Sequence, residues 1–446
     1  MSINRSHINV VGAGLAGCEA AYQIAKKGIK VKLFEMKPEK YTPAHHSDKF
    51  AELVCSNSFR SDDTTNAIGL LKKELRTLDS LIMKCADSNS VPAGSALAVD
   101  REKFSSDITN AIKSNPNIEV ITKEVISIPD DEITVIASGP LTSDGLFQFI
   151  SNDLGIDKLH FFDAAAPIVD FDSIDMTKAF FASRYNKGDA DYINCPMNEE
   201  EYRRFYEELI NAKEAKLHDF DEESQKLNVF EGCMPVEVMA KRGYDTLLFG
   251  PLKPVGIENP ATKEKYYAVV QLRKENKDGT MFNIVGFQTH LTFPEQKRVF
   301  SLIPGLENAS FLRYGVMHRN TYLNSPNYLN YDYSMKSKPN VFFAGQMTGV
   351  EGYIESCSSG YVAGVNAARF LYDEKPIDFT DKTVIGSLAH YVSSGLYSSN
   401  FQPMNANFGI VSSLEYKVKG GKKARNEELS KRAISKIDEI KKEYNL

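Results

Sequence analysis

The chain is 446 residues long, with 42% hydrophobic and 25% charged residues and a formal net charge of −6. That length allows two or three domains with buried cores, and the composition is that of an ordinary globular protein. No apolar run approaches the ~20 residues of a membrane span, and the acidity excludes a global attraction to nucleic acid while leaving room for a local basic patch. Cys18, Cys55, Cys85, Cys195, Cys233 and Cys357 include no C-x-x-C pair, which disfavours a disulfide framework and a zinc site. The opening residues run at once into a strand, so no signal peptide is expected and the expected location is cytoplasmic.

In chain order, 8–11 reads as a short buried strand. Gly12, Gly14 and Gly17 follow in G-x-G-x-x-G spacing, and a helix continues to Gly28. The three glycines suit a tight turn, backbone approach to a pyrophosphate, and close helix–strand packing. The helix N-terminus then offers unpaired N–H groups to phosphate. A second strand, 31–34, leads to Glu35, at about the 20-residue distance of a ribose-binding acid. A carboxylate there accepts ribose hydroxyls and repels a 2′-phosphate. Together these elements indicate FAD or NAD rather than NADP.

From 36 to 47 strand alternation is absent. His45-His46 resembles a metal pair but lacks a third ligand at useful spacing, so it reads as loop. The stretch 50–60, which holds Cys55, mixes apolar and small polar residues, as where a chain leaves the core to line a site. Apolar residues at helical spacing run from 69 to 86 and make Cys85 a packing residue. A turn and strand (91–101), a helix (102–114) and strands near 119–122 and 133–140 close the first lobe, 1–145. Residues 146–325 are richer in aromatics and acids, with a charged helix at 198–212 and a hairpin, 266–273 with 281–289, around the turn-rich 275–279. This part reads as an inserted substrate domain. The first lobe resumes in 326–446 with a second strand, a glycine-rich turn carrying Gly345, Glu351 and Gly352, and a helix at 354–371 with Gly360 and Gly364 on its packing face. That places another helix N-terminus near the cofactor. A basic run (Lys417, Lys419, Lys422, Lys423, Arg425) precedes a charged final helix from about 426.

The motifs VGAGLAGCEAA, PAHHSDKFAELVCSNSFR, VPAGSALAVDR, ASGPLTS, SRYNKGDADYINCPM, FEGCMPVEVMAKRG, LFGPLKPVG, GFQTHL, YGVMHRNTYLNSP, FFAGQMTGVEGYIES and FQPMNANFG span nearly the whole chain. In them the chain resembles the folate- and FAD-dependent RNA (uracil-5-)-methyltransferases. The resemblance implies an α/β fold: a Rossmann-type, glutathione-reductase-like FAD-binding domain with an inserted α+β substrate domain. It implies FAD as cofactor, methylenetetrahydrofolate as one-carbon donor and NAD(P)H as reductant. With no second G-x-G-x-x-G, NAD(P)H would dock only transiently over the flavin. The implied partner is RNA, either the T-loop uridine of tRNA or, as in a paralogous branch, a uridine of 23S ribosomal RNA; no residue separates the two.

A uracil is not nucleophilic at carbon-5 until a thiolate adds at carbon-6, and a base must then take the carbon-5 proton. The resemblance makes Cys233, in EGCMP, the nucleophile and Cys55, in VCSNS, the second catalytic thiol and base. Glu231 and Glu237 would raise the Cys233 pKa unless Lys241, Arg242, Lys253 or RNA-facing cations compensate. Gly12, Gly14, Gly17, Glu35, Arg101, Gly345, Glu351 and Gly352 are the expected cofactor-binding residues. Arg101, His318, Arg319, Glu351 and Asn405 lie in these motifs and suit either folate or flavin contacts or structural ion pairs. RNA would meet Lys241-Arg242 or the 417–425 run, and the extruded base would stack on Tyr or Phe, since the chain has no Trp. A flavin oxidoreductase without an RNA substrate is the alternative, but it gives no reason for two motif cysteines. The larger flavoprotein that modifies the tRNA wobble uridine needs a helical C-terminal domain for which 401–446 leaves no room.

Overall fold

The computed structural model describes residues 3–42, 44–156, 158–164, 166–186, 189–215, 234–315, 317–398 and 401–446. Its first sheet has the strand order Ser334–Met335, Lys338–Phe343, Glu132–Ile136, Asn4–Val11, Val31–Glu35, Ile118–Thr122. All neighbours run parallel except the Ser334–Met335 edge. Ile8 pairs with Val31 and Val10 with Leu33 on one side, and Val10 with Val135 on the other. Ile8, Val10, Leu33, Val135 and Ile136 are fully buried, the apolar run that a parallel sheet covered on both faces requires.

The helix Leu15–Lys26 lies against Tyr353–Leu371, and small residues allow the close approach. A Cβ at Gly360 would stand 2.2 Å from the Ala16 carbonyl oxygen, and one at Gly364 would stand 2.7 Å from Ala20 Cα.

The second sheet is antiparallel, in the order Phe180–Ala182, Tyr192–Met197, Ala268–Lys274, Met281–Ile284, Ile168–Asp170, Phe311–Arg313. Its hairpin turns at 275–280, as the sequence pattern suggests, but the second strand ends at Ile284 instead of running to 289. The helix Glu199–Ile210 opens with a reciprocal cap between Asn198 and Glu201 and buries Tyr202, Phe205 and Leu209 in a separate core with Phe282, Ile284 and Phe287. Lys158–Ala164 leads into this unit and Met317–Leu323 leads out, and these two strands pair antiparallel with each other from Lys158 to Leu323.

Two boundaries differ from expectation. The helical stretch 69–86 is two helices, Ala67–Thr77 and Leu81–Ser88. Asp79 between them has φ +66°, and Ser80 caps the second by accepting the Met83 N–H. Buried Glu19 from the first helix reinforces the break by accepting the N–H groups of Leu81 (3.3 Å) and Ile82 (3.0 Å). The final helix is Gly421–Tyr444, so Lys422, Lys423 and Arg425 belong to its first turns rather than preceding it. Among the described residues no helix is long and apolar enough to cross a membrane.

Candidate active site

Three glycines shape one end of a cleft. Gly12 has φ +97°, and a Cβ there would lie 2.8 Å from the Ala137 carbonyl oxygen. A Cβ at Gly17 would lie 1.8 Å from the Gly12 oxygen, which only glycine tolerates. At Gly14 a Cβ would meet nothing within 4 Å. Gly14 also opens the helix Leu15–Lys26 with no side-chain cap, so its backbone faces open space beside uncommitted helix N–H groups. Glu35 is buried; its carboxylate accepts the N–H groups of Ala13 (2.8 Å) and Lys37 (3.0 Å). Each oxygen keeps a lone pair for a ribose hydroxyl. The cleft is lined by Gly12, Gly14, Glu35, Ser138, Gly345 and Tyr353 among others. These residues fit a dinucleotide: a cradle a Cβ would fill, an anion-binding helix end and a ribose acid.

The second glycine turn sits over the same helix. Gly345 has φ +85°, and its N–H donates to Ser359 Oγ (2.7 Å). Glu351 is buried and accepts from Gln346 Nε2 (2.6 Å), and Gln346 rather than Glu351 lines the cleft. Gly352, at φ +121°, precedes the helix Tyr353–Leu371, and a Cβ there would lie 2.2 Å from Glu355 Oε2. Glu355 is fully buried. Its Oε1 pairs with Arg60 and accepts the Ala406 N–H (2.9 Å), which ties the FQPMNANFG segment and Asn405 to this helix.

The turn carrying Cys55 borders the cleft through Val54 and Tyr353. Tyr353 Oη accepts the N–H groups of Cys55 (2.8 Å) and Ser56 (3.2 Å). Arg101 donates to the carbonyls of Leu53 and Cys55 and pairs with buried Glu275 of the second sheet. Its guanidinium thus braces the Cys55 turn, and Arg101 is not among the residues lining this cleft. Arg313 donates to the Val54 carbonyl, and Arg273 donates to Ser56 Oγ (2.7 Å) and Asn57 Oδ1 (3.1 Å). Burial lowers the pKa of Arg273 and of Arg313, whereas at Arg101 burial is outweighed by Glu275 and the pKa rises. All three guanidinium groups are held on the turn that carries the half-buried Cys55, and positive charge near a thiol favours its reactive thiolate form. Lys72, fully buried, holds the next strand by donating to the carbonyls of Phe59, Arg60 and Ser61, and burial pulls its pKa down to about 8.

Cys233, with Glu231 and Gly232, lies outside the described residues, as do the side chains of His318 and Arg319. Glu237 is occupied: it accepts from Thr289 Oγ1 (2.9 Å) and the His290 N–H (2.8 Å) and pairs with the His290 ring, so its charge is locally matched. Lys241 pairs with Glu214. Cys18, Cys85, Cys195 and Cys357 are buried; burial raises all four thiols, to about 12 at Cys85 and Cys195. His45 Nδ1 meets Thr42 Oγ1 (2.6 Å) on the cleft wall. Lys417, Lys419, Lys422, Lys423 and Arg425 are all exposed.

Sequence reasoning missed Arg273, Arg313 and Tyr353. Tyr353 lay within a quoted motif, and its place directly after the second glycine turn was the available signal. The two arginines carried none, since their partners are more than 200 residues away in the chain.

The parallel sheet, glycine cradle and ribose acid define a dinucleotide-binding protein of the flavoprotein kind. Its fold is similar to that of Aquifex aeolicus GidA, with a TM-score of 0.69 at 17% identity over 97% of this chain and 73% of that one. Residues 7–375 match the family model described as Glucose inhibited division protein A. The methylenetetrahydrofolate–tRNA-(uracil-5-)-methyltransferase TrmFO of Acetivibrio thermocellus is 61% identical, covering 98% of this chain and 99% of that protein. The Bacillus subtilis TrmFO is 56% identical over 99% and 100% of the two chains. The chain belongs to this family, the TrmFO branch of the GidA-type flavoproteins.

Proposed function

We propose that this protein is an FAD-dependent methyltransferase that uses methylenetetrahydrofolate to form 5-methyluridine in tRNA, acting in the cytoplasm. The observation that carries the reading is the meeting of an open glycine cradle and an arginine-held cysteine turn at one cleft. Names of relatives matching over almost the full length refer to tRNA, which favours it over 23S rRNA.

Gly12, Gly14 and Gly17 would receive the pyrophosphate, Glu35 the ribose, and the Gly345–Gly352 turn the far end of FAD, with Gln346 held by Glu351. When bound and reduced, the flavin supplies the hydride equivalent that completes the methyl group. Cys233 would add to uracil carbon-6, and Cys55, on the turn that Arg101, Arg273 and Arg313 hold, would take the carbon-5 proton. Arg101 serves that turn rather than the cofactor. The antiparallel unit within 146–325 is the substrate domain, and NAD(P)H is the reductant. RNA phosphates would meet the exposed 417–425 cations.

The test is incubation of the purified protein with methylenetetrahydrofolate and NADPH, separately with unmodified tRNA and a 23S rRNA fragment. Methyl on the tRNA alone is expected. Methyl on neither, or a protein purified without flavin, sinks the proposal.

A further inference from the structure

Tyr353 touches both halves of the site. Its ring is part of the cleft wall and packs edge-on against Phe59, with centroids 6.0 Å apart at 78°. Its hydroxyl oxygen accepts two consecutive amides, those of Cys55 and Ser56. A phenolic oxygen has two lone pairs and one hydrogen, so both acceptor positions are used on this turn. Burial, with the Cys55 charge behind it, holds the phenol protonated far above neutral pH, against an opposing effect from Arg101. Tyr353 is therefore a neutral acceptor under working conditions. The chain reaching the turn is fixed too: Ala51 adopts φ +49° and its N–H donates to the Ala13 carbonyl in the glycine loop (2.9 Å). Among the described residues, the charged groups facing the turn are Arg101 from the helix Arg101–Lys113, Arg273 and Glu275 at the end of the strand Ala268–Lys274, and Arg313 from Phe311–Arg313.

We propose that Tyr353 is the positioning residue of Cys55: its hydroxyl hooks the Cys55–Ser56 amides while its ring lies along the nucleotide cleft, which fixes the thiol among the three arginines beside the cofactor. The inference rests on the FAD-dependent reading above. Without the hook, two amides lose their acceptor, the turn relaxes away from the guanidinium groups, and the thiol becomes less acidic.

The test uses purified holoenzyme, wild type and Tyr353→Phe. Iodoacetamide labelling of the Cys55 peptide is followed by mass spectrometry across pH, beside flavin absorbance and kcat and KM for tRNA. Tyr353→Phe should keep its flavin, label Cys55 at least about fivefold more slowly at neutral pH with a raised midpoint, and lose about 100-fold in kcat with little change in KM. A wild-type labelling profile overturns the proposal. Should Tyr353→Phe not fold, 3-fluorotyrosine at 353 keeps shape and hydroxyl but accepts more weakly, and it must still raise the midpoint; an unmoved midpoint overturns the proposal equally. If the wild type methylates no RNA while the labelling shift persists, the function fails and the positioning stands.

Discussion

The two ends of the cleft are held in opposite ways. At the glycine loop the geometry is made by backbone within one short stretch, with Gly12, Gly14 and Gly17 each missing a Cβ for a different reason and Glu35 reaching back 22 residues to Ala13. At the Cys55 turn it is made by side chains from elsewhere: Arg101 at 46 residues, Arg273 at 217, Arg313 at 259 and Tyr353 at 298. A site built from absent atoms breaks when an atom is added. One built from converging charges breaks when a partner is removed.

The sharpest way to break that contrast is Gly17→Ala. Its Cβ would sit 1.8 Å from a main-chain oxygen that cannot yield, so a loss of about 5 kcal/mol and a colourless protein are expected by denaturant melting and absorbance. An Arg101→Met protein should lose about 4 kcal/mol, because Glu275 stays buried without its partner. Adding Glu275→Leu should restore much of that loss, and a double variant no better than the single one would show that the pair is not the cause.

Glu74 is a further side-chain anchor, accepting the N–H groups of Val384 (2.8 Å) and Ile385 (2.9 Å) at the start of the helix Val384–Ser393. Burial raises its pKa from 4.5 to about 7. The unfolded chain releases this proton near 4.5 and the folded one near 7, so the folded state binds more protons in that window. Stability therefore falls as pH rises through it, by about 3 kcal/mol from this group. Glu74→Gln should flatten that slope in urea midpoints taken across the window. The opposite kind of change is Gly14→Ala, whose Cβ meets only open space: melting should be unchanged while FAD binds about tenfold more weakly, ~1.4 kcal/mol. Smallest for the fold is Lys422→Glu with Lys423→Glu, which should leave melting unmoved and reduce the salt slope of tRNA binding by about 2.

The same contrast explains what could be read from the sequence. The parallel sheet was legible because its central strands end in apolar runs that lead into glycine turns at Gly12, Gly139 and Gly345, and the nucleotide site because its spacing is local. The family motifs pointed to Cys55, but no local pattern in them shows that Arg101 holds the cysteine turn. That depends on Glu275, which a different sheet delivers. The break at Asp79 was hidden for a similar reason: the acid that caps Leu81 and Ile82 is Glu19, some 60 residues earlier. Apolar spacing alone runs on through the break.

Lys158–Ala164 and Met317–Leu323 run side by side, so the antiparallel unit departs from and returns to neighbouring points of the parent fold. Such an arrangement lets a module be exchanged as a cassette without disturbing the sheet it hangs from. A replacement cassette would keep the nucleotide cradle intact yet arrive without Arg273, Arg313 and Glu275. The recipient would hold its dinucleotide and keep Tyr353 and Arg101 on the cysteine turn, yet lose the two further cations and the acid that pairs with Arg101, which makes the graft boundary a divide between carrying a cofactor and putting it to use.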